Sequence, residues 1–185
     1  PVKEGRTFWD HKWEDWKWYI ADGLGMHLGR EVCVAVHNPT ATPLPRLAPV
    51  YLSGSSPALN TTWSATYKPD VYLAQATGDD TKSDVVGLVR QAIPSGSDGT
   101  IIVSGIMHNS DMSPYGAIGT KLWLSPSVAG GLTATKPGQP NEIVELGQVA
   151  EAGTQGSMLV KISTEEPPAN AYAGMTSYPT ITDNT

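Results

Sequence analysis

The chain is poor in cysteine and in charge. Of its 185 residues one is a cysteine, Cys33. An internal disulfide framework is therefore excluded. Flanked by Val32 and Val34, that thiol is expected to be buried and inert. Charged residues make up 16%, the net charge is -6, and no basic run occurs. A nucleic-acid or anionic-membrane surface needs clustered Lys and Arg, so neither partner is expected. No apolar run approaches the ~20 residues that span a bilayer, and the opening residues carry no secretion-signal pattern. Folding in a reducing cytosol is the expectation.

Motifs that carry chemistry are missing too. His11, His27, His37 and His108 lie far apart in the chain. They form neither H-x-x-x-H nor H-E-x-x-H, so no transition-metal site is expected. Asp79, Asp80 and Asp84 lack the EF-hand spacing and its terminal Glu, and read as an exposed acidic turn. There is no G-x-S-x-G and no phosphate loop. His108, Asp111 and Ser113 spell a triad by letter, but residues this close in one loop rarely hold its geometry. Glu145 and Glu151 flank one strand, but paired-carboxylate chemistry needs a cleft, which a sequence does not show. Neither an enzyme activity nor a cofactor is expected.

What is plentiful is turn chemistry, with 19 Gly and 15 Pro. Between 100 and 162, apolar runs rich in Val, Ile and Leu alternate with clusters of Gly, Pro, Ser and Asn. The runs are Ile101 to Met107, Lys121 to Leu124, Ile143 to Val149 and Met158 to Ile162, each of strand length. Gly130-Gly131, Lys136-Pro137-Gly138 and Gly153-Thr154-Gln155-Gly156 break them. Further strands are expected at 31–36, 49–53, 63–67, 70–76 and 85–93. Val32, Val34 and Val36 should share one face of the first.

Several of these runs also carry a resemblance. Gly119-Thr120-Lys121-Leu122-Trp123-Leu124-Ser125, then Ala129-Gly130-Gly131-Leu132-Thr133-Ala134-Thr135-Lys136-Pro137, resembles a β-rich module of tailed-bacteriophage structural proteins. Its usual core is G-x-x-L-Y-L-S … G-G-L-T-x-T-x-P. Leu146-Gly147-Gln148-Val149 and Gly156 to Ile162 look like its closing strands. Val36-His37-Asn38, 48–54, 86–89 and 103–105 look like its earlier ones. The match covers roughly 32–162. Two features depart from it. The usual Lys-Gly before the second strand is Arg46-Leu47 here, and the Trp-rich N-terminus has no counterpart. The resemblance implies a non-enzymatic virion protein, made in the host cytoplasm, of the fibre or adaptor type, commonly trimeric. It also implies contact with other virion proteins of the tail, portal region or major capsid. Capsid decoration, tying neighbouring capsomers together, is the close alternative.

The N-terminus has its own pattern. Thr7-Phe8-Trp9-Asp10 fits a helix-capping box. Trp9, Trp13, Trp16 and Ile20 then fall on one helical stripe, which predicts a short helix ended by Gly23 and Gly25. Trp16, Trp18 and Ile20 also alternate as a strand would. Phe8, Trp9, Trp13, Trp16, Trp18 and Tyr19 together offer more apolar surface than a lone helix can cover. Two readings stand: packing on the β-domain of the same chain, or docking on another subunit, where Trp and Tyr are preferred anchors. A carbohydrate platform built on Trp13, Trp16, Trp18 or Trp63 is a further reading, with a host surface glycan as its ligand. Beyond Ile162 a Pro-rich polar tail carries scattered Tyr172 and Tyr178, which join the N-terminal aromatics as candidate interface residues.

The expected organisation is an N-terminal aromatic docking arm over 1–28, a β-rich module over 29–163 and an extended C-terminal arm over 164–185. The fold class is all-β, a compact barrel or sandwich of about eight to ten short antiparallel strands.

Overall fold

The computed structural model describes residues 5–11, 15–21, 24–52, 68–77 and 80–164, without the side chains of Ile20, Ala21, Leu24 and Asp80. It is all-β, and every pairing between its strands is antiparallel. A small sheet opens the chain: β1 (Thr7–Asp10), β2 (Asp15–Ala21) and β3 (Leu24–His27), in that order. Nine strands follow: β4 (Glu31–His37), β5 (Pro49–Leu52), β6 (Val71–Leu73), β7 (Val85–Val89), β8 (Asp98–Ser110), β9 (Lys121–Leu124), β10 (Leu132–Thr133), β11 (Val144–Glu151) and β12 (Gly156–Thr164). They run in the order β10-β9-β11-β12-β8-β7-β5-β6, and β4 pairs with β8.

The long strand β8 turns this sheet into a sandwich. Along one edge β8 carries β4, from Asp98 to Gly105. Along its other edge it pairs first with β7, at Ile101 and Ile102, and then with β12, from Ser104 to Ser110. Two strands thus leave one edge in succession, and the sheet divides there into two layers. The bend needs Gly105, which sits at φ 110° with its α-carbon against Arg30. A β-carbon there would lie 2.0 Å from the Arg30 carbonyl oxygen. Gly147 has the same task in β11, where the register slips against both neighbours. Its β-carbon would lie 1.9 Å from the Leu159 oxygen. Such a bulge re-aims a strand at the cost of ladder regularity. Among the described residues β10 and β6 end the sheet unjoined, so the architecture is a sandwich and the barrel alternative is set aside.

Two apolar clusters hold the layers. Between them lie Leu88 and Ile102 from one side and Met107, Leu122, Leu124, Leu146, Met158 and Val160 from the other. Val89 and Ile101 are chain neighbours of Leu88 and Ile102, so they point to the opposite face. There they meet Val36, Leu44, Ala48, Val50, Val71 and Ile93. The Pro-punctuated loop 38–48 covers that second cluster, and its hub is Asn38, fully buried. The Asn38 amide donates to the carbonyls of Thr42, Ile93 and Pro94, and its oxygen accepts from the Thr40 amide and hydroxyl. Each fully buried Leu or Ile contributes about 1.5–3 kcal/mol, so these clusters dominate the stability.

The expected N-terminal helix is not formed. Thr7, expected as its cap, begins β1, and Trp16 to Tyr19 lie in β2. Alternation prevails over the helical stripe because Trp, Tyr and Ile favour a pleated surface. Direct cross-strand pairing of Trp9 with Trp16 also gives the indoles partners that a lone helix lacks. The first long strand puts Val32, Val34 and Val36 on one face, opposite Cys33, but only Val36 is covered there, by the second cluster, while Val32 and Val34 stay exposed. Cys33 faces inward and packs on the main cluster. The strand expected at 63–67 lies outside the described residues. No described helix is long and apolar enough to cross a membrane.

Candidate functional site

The pleat sorts the N-terminal aromatics onto two faces. Trp9 pairs with Trp16, Thr7 with Trp18, and Trp18 with Met26 on the far side. Residues paired directly across strands share a face, so Trp9, Trp16, Trp18 and Met26 lie together. Leu28, whose amide donates to the Trp16 carbonyl, borders them. Phe8, Asp10, Asp15, Lys17, Tyr19, Gly25 and His27 occupy the opposite face by the same rule. Phe8 and Tyr19 stack there, with ring centroids 5.5 Å apart.

The second face is fastened to the sandwich by buried charge. Asp15, with 9% of its side chain exposed, accepts from Arg30 Nε at 2.7 Å and pairs with His27 Nδ1 at 2.9 Å. Glu31, with 5% exposed, accepts from Arg90 Nη2 at 2.7 Å and Nε at 3.2 Å. Its carboxylate also takes the His27 backbone amide, at 3.0 Å. Arg90 in turn donates to the Gly25 carbonyl on β3. One guanidinium therefore joins β4 and the N-terminal sheet to the end of β7. Arg46 braces the same corner through the carbonyls of Arg90 and His108. A polar cavity of about 210 Å³ lies there, between Lys17, His27, Glu31, Arg46, Arg90 and His108. Burial and the nearby His27 and Arg30 hold the His108 imidazole below its ordinary range.

With one face fastened, the other is presented outward. Trp9, Trp16, Trp18 and Leu28 remain 43%, 53%, 39% and 41% exposed. An aromatic side chain has about 150–250 Å² to bury, so the three indoles leave on the order of 300 Å² uncovered. That matches the largest apolar patch of a typical monomer, and such patches are often functional. Trp9 and Trp16 meet edge to face at 80°, with centroids 5.9 Å apart. The pair thus forms a ridged surface, not a continuous flat one. Trp13, Trp63, Tyr172 and Tyr178 lie outside the described residues. Phe8 and Tyr19 stand on the opposite face from the indoles.

The remaining candidates are brought to quieter places. Asp111 Oδ1 accepts from the amide and hydroxyl of Ser113, which closes a local turn, while His108 lies edge-on to His27 at 6.4 Å. The three letters of a triad therefore do not form one. Glu145 pairs with Lys121 at 2.7 Å, and Glu151 accepts from the Ser157 hydroxyl. Among the described residues no group of three His, Cys, Asp or Glu is placed to hold a metal ion. Burial pushes the Cys33 thiol up to about 11.

Sequence reasoning found the aromatics but missed what fastens them. Asp15, Arg30, Glu31 and Arg90 form no motif, and Glu31 and Arg90 lie 59 residues apart in the chain. Only the rarity of charge in this chain marked each one as worth explaining. No protein-family model, curated protein or solved structure matches the chain.

Proposed function

We propose that this chain is a non-enzymatic structural protein of a tailed-phage virion, of fibre or adaptor type, attached through its terminal segments. One observation carries the reading: a small sheet, fastened by buried ion pairs, holds three half-exposed indoles outward. Fastening one face costs desolvation and brings little net stability. It does fix the geometry of the other face, and a rigid aromatic patch suits protein contacts. The module resemblance is supported at two positions. Leu47 stands where the module usually has Gly, and its φ is 72°, the region in which Gly is at ease. Gly147 of the closing I-G-x-V strand admits no side chain.

The glycan reading is weaker on this geometry. Sugar rings stack on flat aromatic platforms, and Trp9 and Trp16 stand nearly perpendicular. The test is mass spectrometry and immunogold labelling of purified particles from the virus that encodes the chain. The chain should co-purify with particles and be labelled at the tail or neck. Labelling spread over the head would favour decoration, and absence from particles would overturn the proposal.

A further inference from the structure

The outward indole face has a definite size, and the size says what kind of partner fits. A standard protein interface buries about 800 Å² per partner. The indoles offer less than half of that. Two such faces meeting across a twofold axis would fall short of a stable dimer. A short linear segment fits better. Pro-rich segments bind aromatic surfaces well because they have little chain entropy to lose.

The chain carries such a segment. Residues 165–185 contain Pro167, Pro168 and Pro179, the aromatics Tyr172 and Tyr178, and the apolar Met175 and Ile181, with no Lys or Arg. Ten extended residues span roughly 33 Å, longer than β2, the longest strand of the small sheet. The strand directions then show where that segment starts. β4 starts beside the small sheet and leads away from it. β8 is antiparallel to β4, and β12 is antiparallel to β8. β12 therefore runs parallel to β4. It begins at Gly156, opposite Ser110, at the end near the small sheet, and leaves the sandwich at Thr164, at the far end. The described chain therefore ends at Thr164, at the end of the sandwich away from its own indoles.

We propose that the Trp9-Trp16-Trp18-Leu28 face receives residues 165–185 of a second copy, so that copies link by exchange of C-terminal segments. This rests on the attachment role of the terminal segments proposed above and names the partner of the indole face. Exchanged segments join copies without a large folded interface. Head-to-tail exchange closes a ring at whatever copy number the geometry allows.

The test uses two variants of the full chain, with mass in solution measured by light scattering. One carries W16S and W18S. The other carries P167S, P168S, Y172S and Y178S. Circular dichroism and the melting transition check that both fold. The wild type should be oligomeric, and each variant alone should lose at least about tenfold in association. The first variant keeps an intact segment and the second an intact indole face. Mixed in equal amounts, they should form a mixed pair that neither forms alone. Cross-linking between L28C and A171C chains, each carrying C33S, should trap the same contact between copies. A segment variant that assembles like wild type overturns the exchange and leaves the docking role of the indoles standing. A monomeric wild type, or variants that fail to complement, overturns it as well. If neither variant alters mass or incorporation into particles, the attachment reading falls with it.

Discussion

Replacing Arg90 with Leu removes a side chain that joins the end of β7, β4 and the N-terminal sheet. Leu fills much of the volume, so packing changes little. The charge balance changes a great deal. Glu31 keeps 5% of its side chain exposed and loses both guanidinium bonds, at 2.7 and 3.2 Å. The Gly25 carbonyl loses its donor as well. Leaving one partner of a buried pair uncompensated costs about 3–5 kcal/mol, a large share of the roughly 5–15 kcal/mol that stabilises a domain. The loss should be local in its first effect, because Glu31 also holds the His27 amide at the hinge between the sheets. Urea unfolding gives the magnitude, and hydrogen exchange gives the place. Amides of β1 to β3 should exchange far faster in the variant, while those of β11 and β12 change only by the global loss. The double variant R90L/E31L should recover much of the stability, since no charge is then stranded. A loss below about 1 kcal/mol for R90L would refute the reasoning, because pairs worth so little are those screened by solvent.

Other expectations follow from single residues. Leu47→Gly should be more stable than Leu47→Ala by about 1 kcal/mol, because both lose the side chain and only Ala keeps the cost of a left-handed backbone; Ala the more stable would contradict a φ of 72°. Asn38→Asp should cost at least about 2 kcal/mol, since a carboxylate would face the carbonyls of Thr42, Ile93 and Pro94; a melting temperature like that of wild type would contradict the hub. The imidazole of His108 is held below its usual 6.5 by burial, then by His27 and Arg30, against the weaker pull of Glu31 and Glu151. Its neutral form is favoured by folding, so it contributes stability above about pH 6.5 that is lost as pH falls through the depressed folded value. His108→Gln should flatten that part of the stability profile, and an unchanged slope would remove His108 as its source. Alkylation of Cys33 in the folded chain should stay slow until pH nears about 11; fast modification near neutrality would contradict its placement.

The sandwich was legible in the sequence where local chemistry and tertiary demand agree. Lys121 to Leu124 has an apolar run, turn residues on both sides and a buried destination, and it is β9. The run Ile101 to Met107 was legible as a strand, but not as the middle of β8, where the sheet divides. That division depends on the α-carbon of Gly105 lying against Arg30, a contact between residues 75 positions apart. The N-terminal segment misled because the same indoles satisfy a helical stripe and a strand alternation. Cross-strand partners decide between them, and spacing alone does not reveal partners. The aromatics were legible as interface candidates, but their sorting was not. Which face is outward is set by Asp15, Glu31, Arg30 and Arg90, which announce nothing by spacing.

The central claim is that the Trp9-Trp16-Trp18 face is presented outward for docking, and hydroxyl-radical footprinting tests it residue by residue. The full chain is oxidised both diluted to the free monomer and at concentrations where it is assembled, and each tryptophan is read by mass spectrometry. The account predicts that Trp9, Trp16 and Trp18 are modified readily in the free chain and protected on assembly, while Trp123, 4% exposed, is protected in both. Equal oxidation of the three indoles before and after assembly would contradict it.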